Sequence, residues 1–261
     1  ARILCATIGA WGISFLLNSA EFPVNYGYVF LAGALFSSAG LICMAVMREP
    51  RDKVQTERRS LKQQANMGIQ LLRSDHRFRY YVKTRLLLSL FPLGLPFLFL
   101  FAKKELGYKS TEIAVFITTE CIGLVISNYF WSRLARSVSN KAVLFQSSVA
   151  AISIPLLVIL FAVFPLPKEL FSLVFAIEAS VDSGFTIGGM SYLIEIIPEK
   201  ERTTYSALYN TLLGFPILLS FPAGIFLDTF GFVALYAILL FFAIIAALYA
   251  AKLKNIKPVR G

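Results

Sequence analysis

Long runs of apolar residues separated by short polar stretches dominate this chain, and alternation at every second residue does not organise them. Each run reaches roughly the 20 residues that a helix needs to cross a hydrocarbon core about 30 Å thick. Backbone groups in lipid must also be satisfied within their own segment, which favours helices. The pattern therefore predicts eight membrane-spanning α-helices, at residues 3–20, 27–47, 84–102, 111–131, 142–165, 169–194, 203–226 and 230–251.

Composition supports lipid as the solvent of most of the chain. Hydrophobic residues make up 57% of the 261 residues and charged residues only 15%, whereas soluble domains carry about 25% charged residues. The mean hydropathy is +0.70. A soluble one- or two-domain protein of this length is therefore excluded, and the lipid bilayer is the first predicted partner.

The net charge of +10 is explained by topology. Of the 25 basic residues, only Lys103, Lys104, Lys109 and Lys168 lie in the connections after spans one, three, five and seven. All the others lie on the opposite side, and basic residues concentrate on the cytoplasmic side of membrane proteins. We therefore expect a multi-pass protein of the cell (inner or plasma) membrane with both ends of this segment in the cytoplasm, and nucleic acid is not needed as a partner.

The longest polar connection lies between the second and third spans. Within it Leu61, Ala65, Ile69 and Leu72 recur at steps of three and four residues, which is typical of an amphipathic helix on the membrane surface or under the bundle. The chain is thus predicted to divide into two helices (1–48), a cytoplasmic linker (49–82) and a bundle of six helices (83–261).

Three stretches resemble loops of one transporter family. Residues 21–27 resemble its outer turn between helices five and six, 131–141 its eight–nine loop with the signature G-x-x-x-D-R-x-G-R/K, and 198–202 its ten–eleven loop. The family is the major facilitator superfamily, whose members have two six-helix bundles joined by a long cytoplasmic loop. The resemblance implies that the chain holds helices five to twelve: the last two helices of the N-terminal bundle and the complete C-terminal bundle. The missing N-terminal half of the same protein is then an expected partner.

The resemblance also implies a function and a set of gating residues. Members transport small solutes by secondary active transport with alternating access, so a small-molecule substrate is expected and no cofactor. The loop signature falls on Arg133, Arg136 and Lys141, with Arg136 standing where the signature Asp is expected. Glu195 and Arg202 flank the short cytoplasmic turn before the seventh span and are candidates for a gating pair.

Two spans carry residues that interrupt helices or allow close approach. Pro92, Gly94 and Pro96 should kink or break the third span, and Gly184 and Gly188 lie in the sixth. By the family register these spans are helices seven and ten, which line the central cavity, and interrupted segments at matching places in a repeat point to a transporter's binding site. Small residues let helices approach closely, so helix packing is the default explanation for the two glycines.

Acidic residues at membrane depth are the candidates for chemistry, because ionised groups there are costly. They are Glu120 in the fourth span and Glu178 with Asp182 in the sixth. The latter pair is four residues apart and shares a helix face. Desolvation and mutual repulsion favour a shared proton, so we expect a proton- or cation-binding site here, with protons the favoured coupling ion over sodium. Asn210 in the seventh span is a further candidate for substrate contact.

The alternatives differ in what they require at membrane depth. An intramembrane enzyme needs a nucleophile or metal ligands there, whereas the one histidine, His76, lies in a cytoplasmic loop with no such groups beside it, so no enzymatic activity is expected. The three cysteines lie inside apolar segments and are expected to be small buried hydrophobic residues and not a metal site. A transporter-like scaffold or sensor that binds without moving solute fits the altered loop signature. Arg85, at the edge of the third span, is counted with the bases of the loop between spans two and three. Three acidic residues with no base at their depth favour cations, neutral solutes or amphiphiles over anions.

Overall fold

The computed structural model describes residues 2–21, 23–47, 61–109, 112–198 and 201–255, and within them every regular element is helical. Ten α-helices occur in these ranges, some of them continued by 3-10 turns. Their bounds are α1 Arg2–Asn18, α2 Val24–Val46, α3 Leu61–Ser74, α4 His76–Leu88, α5 Leu95–Lys104, α6 Ile113–Ser137, α7 Asn140–Val163, α8 Ser172–Ile196, α9 Arg202–Gly214 and α10 Ser220–Ala251.

The apolar runs of the sequence become helical runs of membrane-crossing length. Six of them within the described residues are long and apolar enough to span a bilayer, at Val24–Val46, His76–Lys104, Ile113–Ser137, Asn140–Val163, Lys168–Ile196 and Thr204–Ala251. The predicted all-helical class is confirmed for the residues that the structure describes, whereas the number of eight spans is not. Helix α1 has 17 residues and rises only about 25 Å, and the last two predicted spans lie in one run of 48 residues.

A single glycine interrupts that long run. Gly231 has φ 80° and ψ 175°, which breaks the helical backbone within α10. Residues with a side chain rarely adopt such a positive φ, whereas glycine does so at little cost. The sequence placed the connection at 227–229, so the break lies close to the predicted position.

The predicted break in the third span is present. A 3-10 turn at Phe91–Gly94 separates α4 from α5, next to Pro92 and Pro96. Proline removes a backbone donor and clashes with the preceding turn, so the ladder of helix hydrogen bonds cannot run through. The hydroxyl of Tyr236 on α10 donates to the Gly94 carbonyl oxygen at 2.9 Å, which satisfies a backbone acceptor inside the bundle.

The core is formed by the helices of the predicted C-terminal bundle. Helix α8 packs against α6 and α7, and α10 packs against α7 and α4. Rings fill the space between α6 and α8: Phe116 stacks on Phe175 with centroids 4.5 Å apart, and Phe171 is fully buried beside them. By contrast α1 packs on α2 and α6, and α2 has no buried residue.

The predicted amphipathic helix of the linker corresponds to α3. Gly68 is buried at the place where α3 meets α9, and a Cβ there would lie 2.8 Å from Leu208 Cδ1. Leu72 packs against the core, while Ile69 is 50% exposed. Helix α3 therefore contacts the bundle through Gly68, Leu71 and Leu72, whereas Ile69 of the predicted apolar face is exposed. Residues 48–60, where the linker is predicted to begin, lie outside the described residues.

Candidate functional site

Three carboxylates come together between α6 and α8. Glu178 is buried at 8% exposure, Glu120 is half-buried, and Asp182 is exposed. Each of the three is close enough to the other two for their charges to repel. We call these residues the acid cluster. The sequence predicted that Glu178 and Asp182 share a face, and the structure adds Glu120 from the neighbouring helix.

The acid cluster has no neutralising base in the described part of the chain. The charged groups that act on the Glu178 carboxylate there are Glu120 and Asp182. Like charges in a low-dielectric site cannot all remain ionised cheaply. The arrangement is therefore suited to holding a proton or a cation.

Close approach of α6 and α8 brings these carboxylates together. A Cβ at Gly123 would lie 2.5 Å from the Ala176 carbonyl oxygen, so the two backbones are nearly in contact. Further along, the Trp131 indole N–H donates to the Ser180 carbonyl oxygen at 2.7 Å. Small residues permit such approach in membrane helix pairs, and polar bonds then join them.

A side-chain hydrogen bond between α6 and α8 was not predicted. The Ser183 hydroxyl donates to Asn128 Oδ1 at 2.6 Å. Asn128 is an amide within the fourth predicted span, and polarity at membrane depth is the signal that could have found it. The bond lies one residue beyond Asp182 on α8 and so helps to fix the geometry of the acid cluster.

Gly184 and Gly188 have a packing role, which was the default explanation from the sequence, and the prediction that they break a helix is wrong. Helix α8 runs continuously through both positions, and both glycines are buried. A Cβ at Gly184 would collide with the Ser147 side chain, and one at Gly188 would lie 2.8 Å from the Leu144 backbone nitrogen. Because glycine has no side chain, α7 can pack closely against α8 at these two positions.

An arginine lies inside the third span, which corrects the prediction that it belongs with the bases of the preceding loop. Arg85 is on α4, within the membrane-length run His76–Lys104, and it is half-buried. Its Nε donates to the Tyr209 hydroxyl at 2.9 Å. The sequence placed Arg85 at the second residue of the third predicted span (84–102) and counted it with the bases of the preceding loop, whereas α4 begins at His76.

Two tyrosines surround this arginine. The Tyr81 hydroxyl donates to the Gly189 carbonyl oxygen at 2.7 Å, and its oxygen lies 3.5 Å from that of Tyr209. The two rings stack with centroids 5.7 Å apart. We call Arg85, Tyr81 and Tyr209 the arginine–tyrosine cluster, which joins α4, α8 and α9.

The remaining candidates from the sequence lie apart from both clusters. Asn210 is exposed on α9, beside the buried Tyr209. Arg133 is exposed, with Nη1 3.4 Å from the Tyr129 hydroxyl. Arg136 is also exposed, and Lys141 is half-buried. These loop bases are not brought against the carboxylates of the acid cluster.

Glu195 on α8 contacts α7, and its pairing with Arg202 as a gate stays a prediction. Asn140 Nδ2 donates to Glu195 Oε1 at 2.8 Å. The other oxygen, Oε2, is buried without a hydrogen-bond partner among the described residues. This carboxylate therefore links the start of α7 to the end of α8.

Metal ligation finds no support in the described part of the chain, where no group of three or more His, Cys, Asp or Glu side chains could hold a metal ion. Of the cysteines described, Cys121 is buried and Cys43 is exposed, and both are free thiols. The carboxylates and the guanidinium are groups that can bind ions and solutes.

Comparison with known proteins gives one family. The profile of the Major Facilitator Superfamily matches residues 87–260, which is more than half of the chain and includes both clusters except for Tyr81 and Arg85. No curated protein matches the chain.

Proposed function

The chain belongs to the Major Facilitator Superfamily, a family of membrane transporters, and from this premise we propose secondary active transport of a small solute by alternating access, coupled to protons. The acid cluster is the single observation that carries the proposal. Glu178 is buried at 8% exposure within a span, and the charged groups described beside it are also carboxylates. A group of this kind is costly in a membrane unless it serves binding.

The acid cluster suits proton coupling because binding or release of a proton changes its net charge at one step of the transport cycle. Glu178 and Asp182 on α8 hold the proton, and Glu120 contributes from α6. Release of the proton leaves repelling carboxylates on helices in close contact, which favours a rearrangement between them. This gives the two states of the cycle different proton affinities, as coupling requires.

The topology that we propose is eight spans with both ends of this segment in the cytoplasm of the cell membrane. Support for the count comes from Gly231, whose positive φ divides the run of 48 residues. A run of that length would rise about 72 Å as one helix, more than twice the hydrocarbon thickness. With α1 as the first span, the count reaches eight, and the distribution of Lys and Arg sets the orientation.

Solid-supported membrane electrophysiology on proteoliposomes tests the proposal. A panel of small solutes is applied at pH 6 and at pH 8, and charge movement is recorded for the wild-type chain and for Glu178→Gln. We expect a solute-dependent current that Glu178→Gln abolishes. Glu169→Gln is the matched control, because Glu169 is an exposed carboxylate just before α8 and its loss should leave the current unchanged.

A scaffold or sensor is the second candidate function, favoured by Arg136 in the loop signature position. Such a protein binds solute without moving it, so binding by calorimetry in the absence of any current and of any uptake of labelled solute would favour it. Currents that persist unchanged in Glu178→Gln, Asp182→Asn and Glu120→Gln would remove the acid cluster from the mechanism.

A further inference from the structure

Arg85 is the described base that is hardest to explain as part of the scaffold. It follows the first residue of α4 by nine positions, a rise of roughly 14 Å, and lies inside a run of membrane length. An arginine that is half-buried among the helices of a membrane bundle needs either a partner or a function.

The guanidinium is fixed in place by α8 and α9. Its Nε donates to the Tyr209 hydroxyl at 2.9 Å, and its Cζ lies 5.7 Å from the centroid of the Phe185 ring. Gly189 leaves the space that the guanidinium occupies, since a Cβ there would lie 3.1 Å from Arg85 Cζ and 3.2 Å from Nη1. Arg85 is thus held across α8 and is not extended along α4 towards the membrane surface, as a snorkelling side chain would be.

The acceptors around it are already used or lie far away. The Gly189 carbonyl oxygen already accepts a hydrogen bond from the Tyr81 hydroxyl. Glu178 precedes Gly189 by eleven residues on α8, roughly 16 Å along the helix, and the charges that act on it do not include Arg85. Within the described part of the chain Nη1 and Nη2 have no hydrogen-bond acceptor.

A carboxylate matches the free donors of Arg85 in chemistry. The two terminal nitrogens present parallel donors that match the two oxygens of a carboxylate. Aromatic rings border the guanidinium, namely Tyr209 and Phe185 at the distances given above, with Phe91 edge-on to Phe185 at 5.9 Å. Such a border accommodates an apolar or aromatic body attached to the carboxylate.

We propose that Arg85 binds the carboxylate group of the solute, which makes the transported class an organic carboxylate. The proposal rests on the transport function proposed above and names its substrate class. The acid cluster then takes the coupling proton while Arg85 takes the anion, at different depths of the same bundle. Tyr209 is a positioning residue, since it holds Nε and leaves Nη1 and Nη2 for the solute.

Isothermal titration calorimetry of the full chain in detergent tests this assignment, with benzoate as the probe and benzamide as its neutral control. We expect benzoate to bind and benzamide to bind at least about tenfold more weakly, as loss of a charge-assisted hydrogen-bond pair implies. Arg85→Gln should weaken benzoate binding about tenfold or more without changing benzamide binding. Lys83→Gln, at an exposed position two residues earlier on α4, removes the same charge and should bind benzoate as wild type does.

Two further variants keep the test valid if Arg85→Gln does not fold. Arg85→Lys keeps the charge but loses the paired donors, and Tyr209→Phe keeps the arginine but releases Nε, so both should weaken benzoate binding by several fold while benzamide binding stays constant. Equal binding of benzoate and benzamide, or benzoate binding that all three variants leave unchanged, would overturn the assignment. Absence of benzoate binding in a chain that shows a proton-coupled current overturns the substrate class alone. Because one proton moving together with one carboxylate carries no net charge, uptake of labelled benzoate is measured beside the current. Arg85-dependent binding with neither current nor uptake supports the anion site and overturns transport.

Discussion

The Ser183 hydroxyl donates a hydrogen bond to Asn128 Oδ1 at 2.6 Å and thereby ties α8 to α6 beside the acid cluster. On the same interface the Trp131 indole holds the Ser180 carbonyl oxygen, and Gly123 lets the two backbones approach. Because Glu120 is on α6 and Glu178 on α8, this interface sets the separation of the carboxylates. Its integrity can be tested independently of any substrate.

Replacing Gly123 by alanine should destabilise the protein. The added Cβ would lie 2.5 Å from the Ala176 carbonyl oxygen, and a backbone atom cannot move aside as a flexible side chain can. Overpacking of this kind costs about 1–3 kcal/mol, so the midpoint of thermal unfolding in detergent, followed by circular dichroism, should fall. Gly33→Ala is the control, because a Cβ at this helical position meets nothing within 4 Å. A Gly123→Ala variant that melts at or above the wild-type temperature would contradict the close approach.

A double-mutant cycle should detect the bond between Asn128 and Ser183. Single replacements by alanine remove the same interaction, so the double variant should lose less stability than the two single variants together. The coupling free energy expected for a hydrogen bond between membrane helices is about 0.6 kcal/mol, with an upper value of about 1.7 kcal/mol. Ser153, whose hydroxyl bonds within its own helix to the Ala150 carbonyl oxygen, provides the control cycle with Asn128, where the coupling should be zero. Free energies of unfolding from denaturant titration in mixed micelles give both values.

Sequence reasoning predicted the helical class and the break in the third span for a clear physical reason. Apolar runs of membrane length and prolines within them act through the local chain, and their consequences do not depend on which helices are neighbours. The interruption at Phe91–Gly94 illustrates this. The residues of the acid cluster were also predicted, because polarity at membrane depth can be read directly from the sequence.

Arg85 and Gly184 show why the rest could not be predicted. The sequence cannot tell whether an arginine at the edge of an apolar run faces water or lies in the span, since α4 gains its first turn from the cap at Asp75 and its burial from α8 and α9. A glycine within a span also does not show by itself whether it bends its own helix or lets a neighbouring helix pack closely. The role of Gly184 depends on Ser147 of α7. A contact between two helices of this kind cannot be read from the sequence of either span.

The Asp75 side chain should contribute in two separable ways. Its Oδ1 accepts from the backbone nitrogens of Arg77 and Phe78 at 2.9 and 3.0 Å, which caps α4, and its Oδ2 accepts from the Tyr205 hydroxyl at 3.2 Å. Asp75→Ala should lower the free energy of unfolding by about 1 kcal/mol for the cap and by a further amount for the bond to α9. Tyr205→Phe should show the second loss alone.

Asp75→Asn distinguishes the two contributions of Asp75, since asparagine is as good a cap as aspartate. Its loss of stability in the same denaturant titration should be smaller than that of Asp75→Ala and no greater than that of Tyr205→Phe, because the amide nitrogen can still donate to the Tyr205 hydroxyl oxygen. Equal losses for the asparagine and alanine variants would mean that the cap contributes nothing and that charge alone matters.

The cost of replacing Asn140 should depend on whether the Glu195 carboxylate is present. Its Oε1 accepts from Asn140, but Oε2 is buried and unpaired within the described residues, and a buried polar atom without a partner costs about 1–3 kcal/mol. Asn140→Ala leaves both oxygens unpaired, so it should destabilise the wild-type chain by an amount in that range. In a Glu195→Ala background the same change should cost little, because no carboxylate remains to be satisfied. The measurement is the free energy of unfolding of the four proteins in this cycle. If Asn140→Ala costs the same in both backgrounds, the bond from Asn140 to Glu195 contributes nothing. Asn140 would then act through the start of α7, where Ser139 already caps the helix by accepting from the Ala142 backbone nitrogen at 3.1 Å.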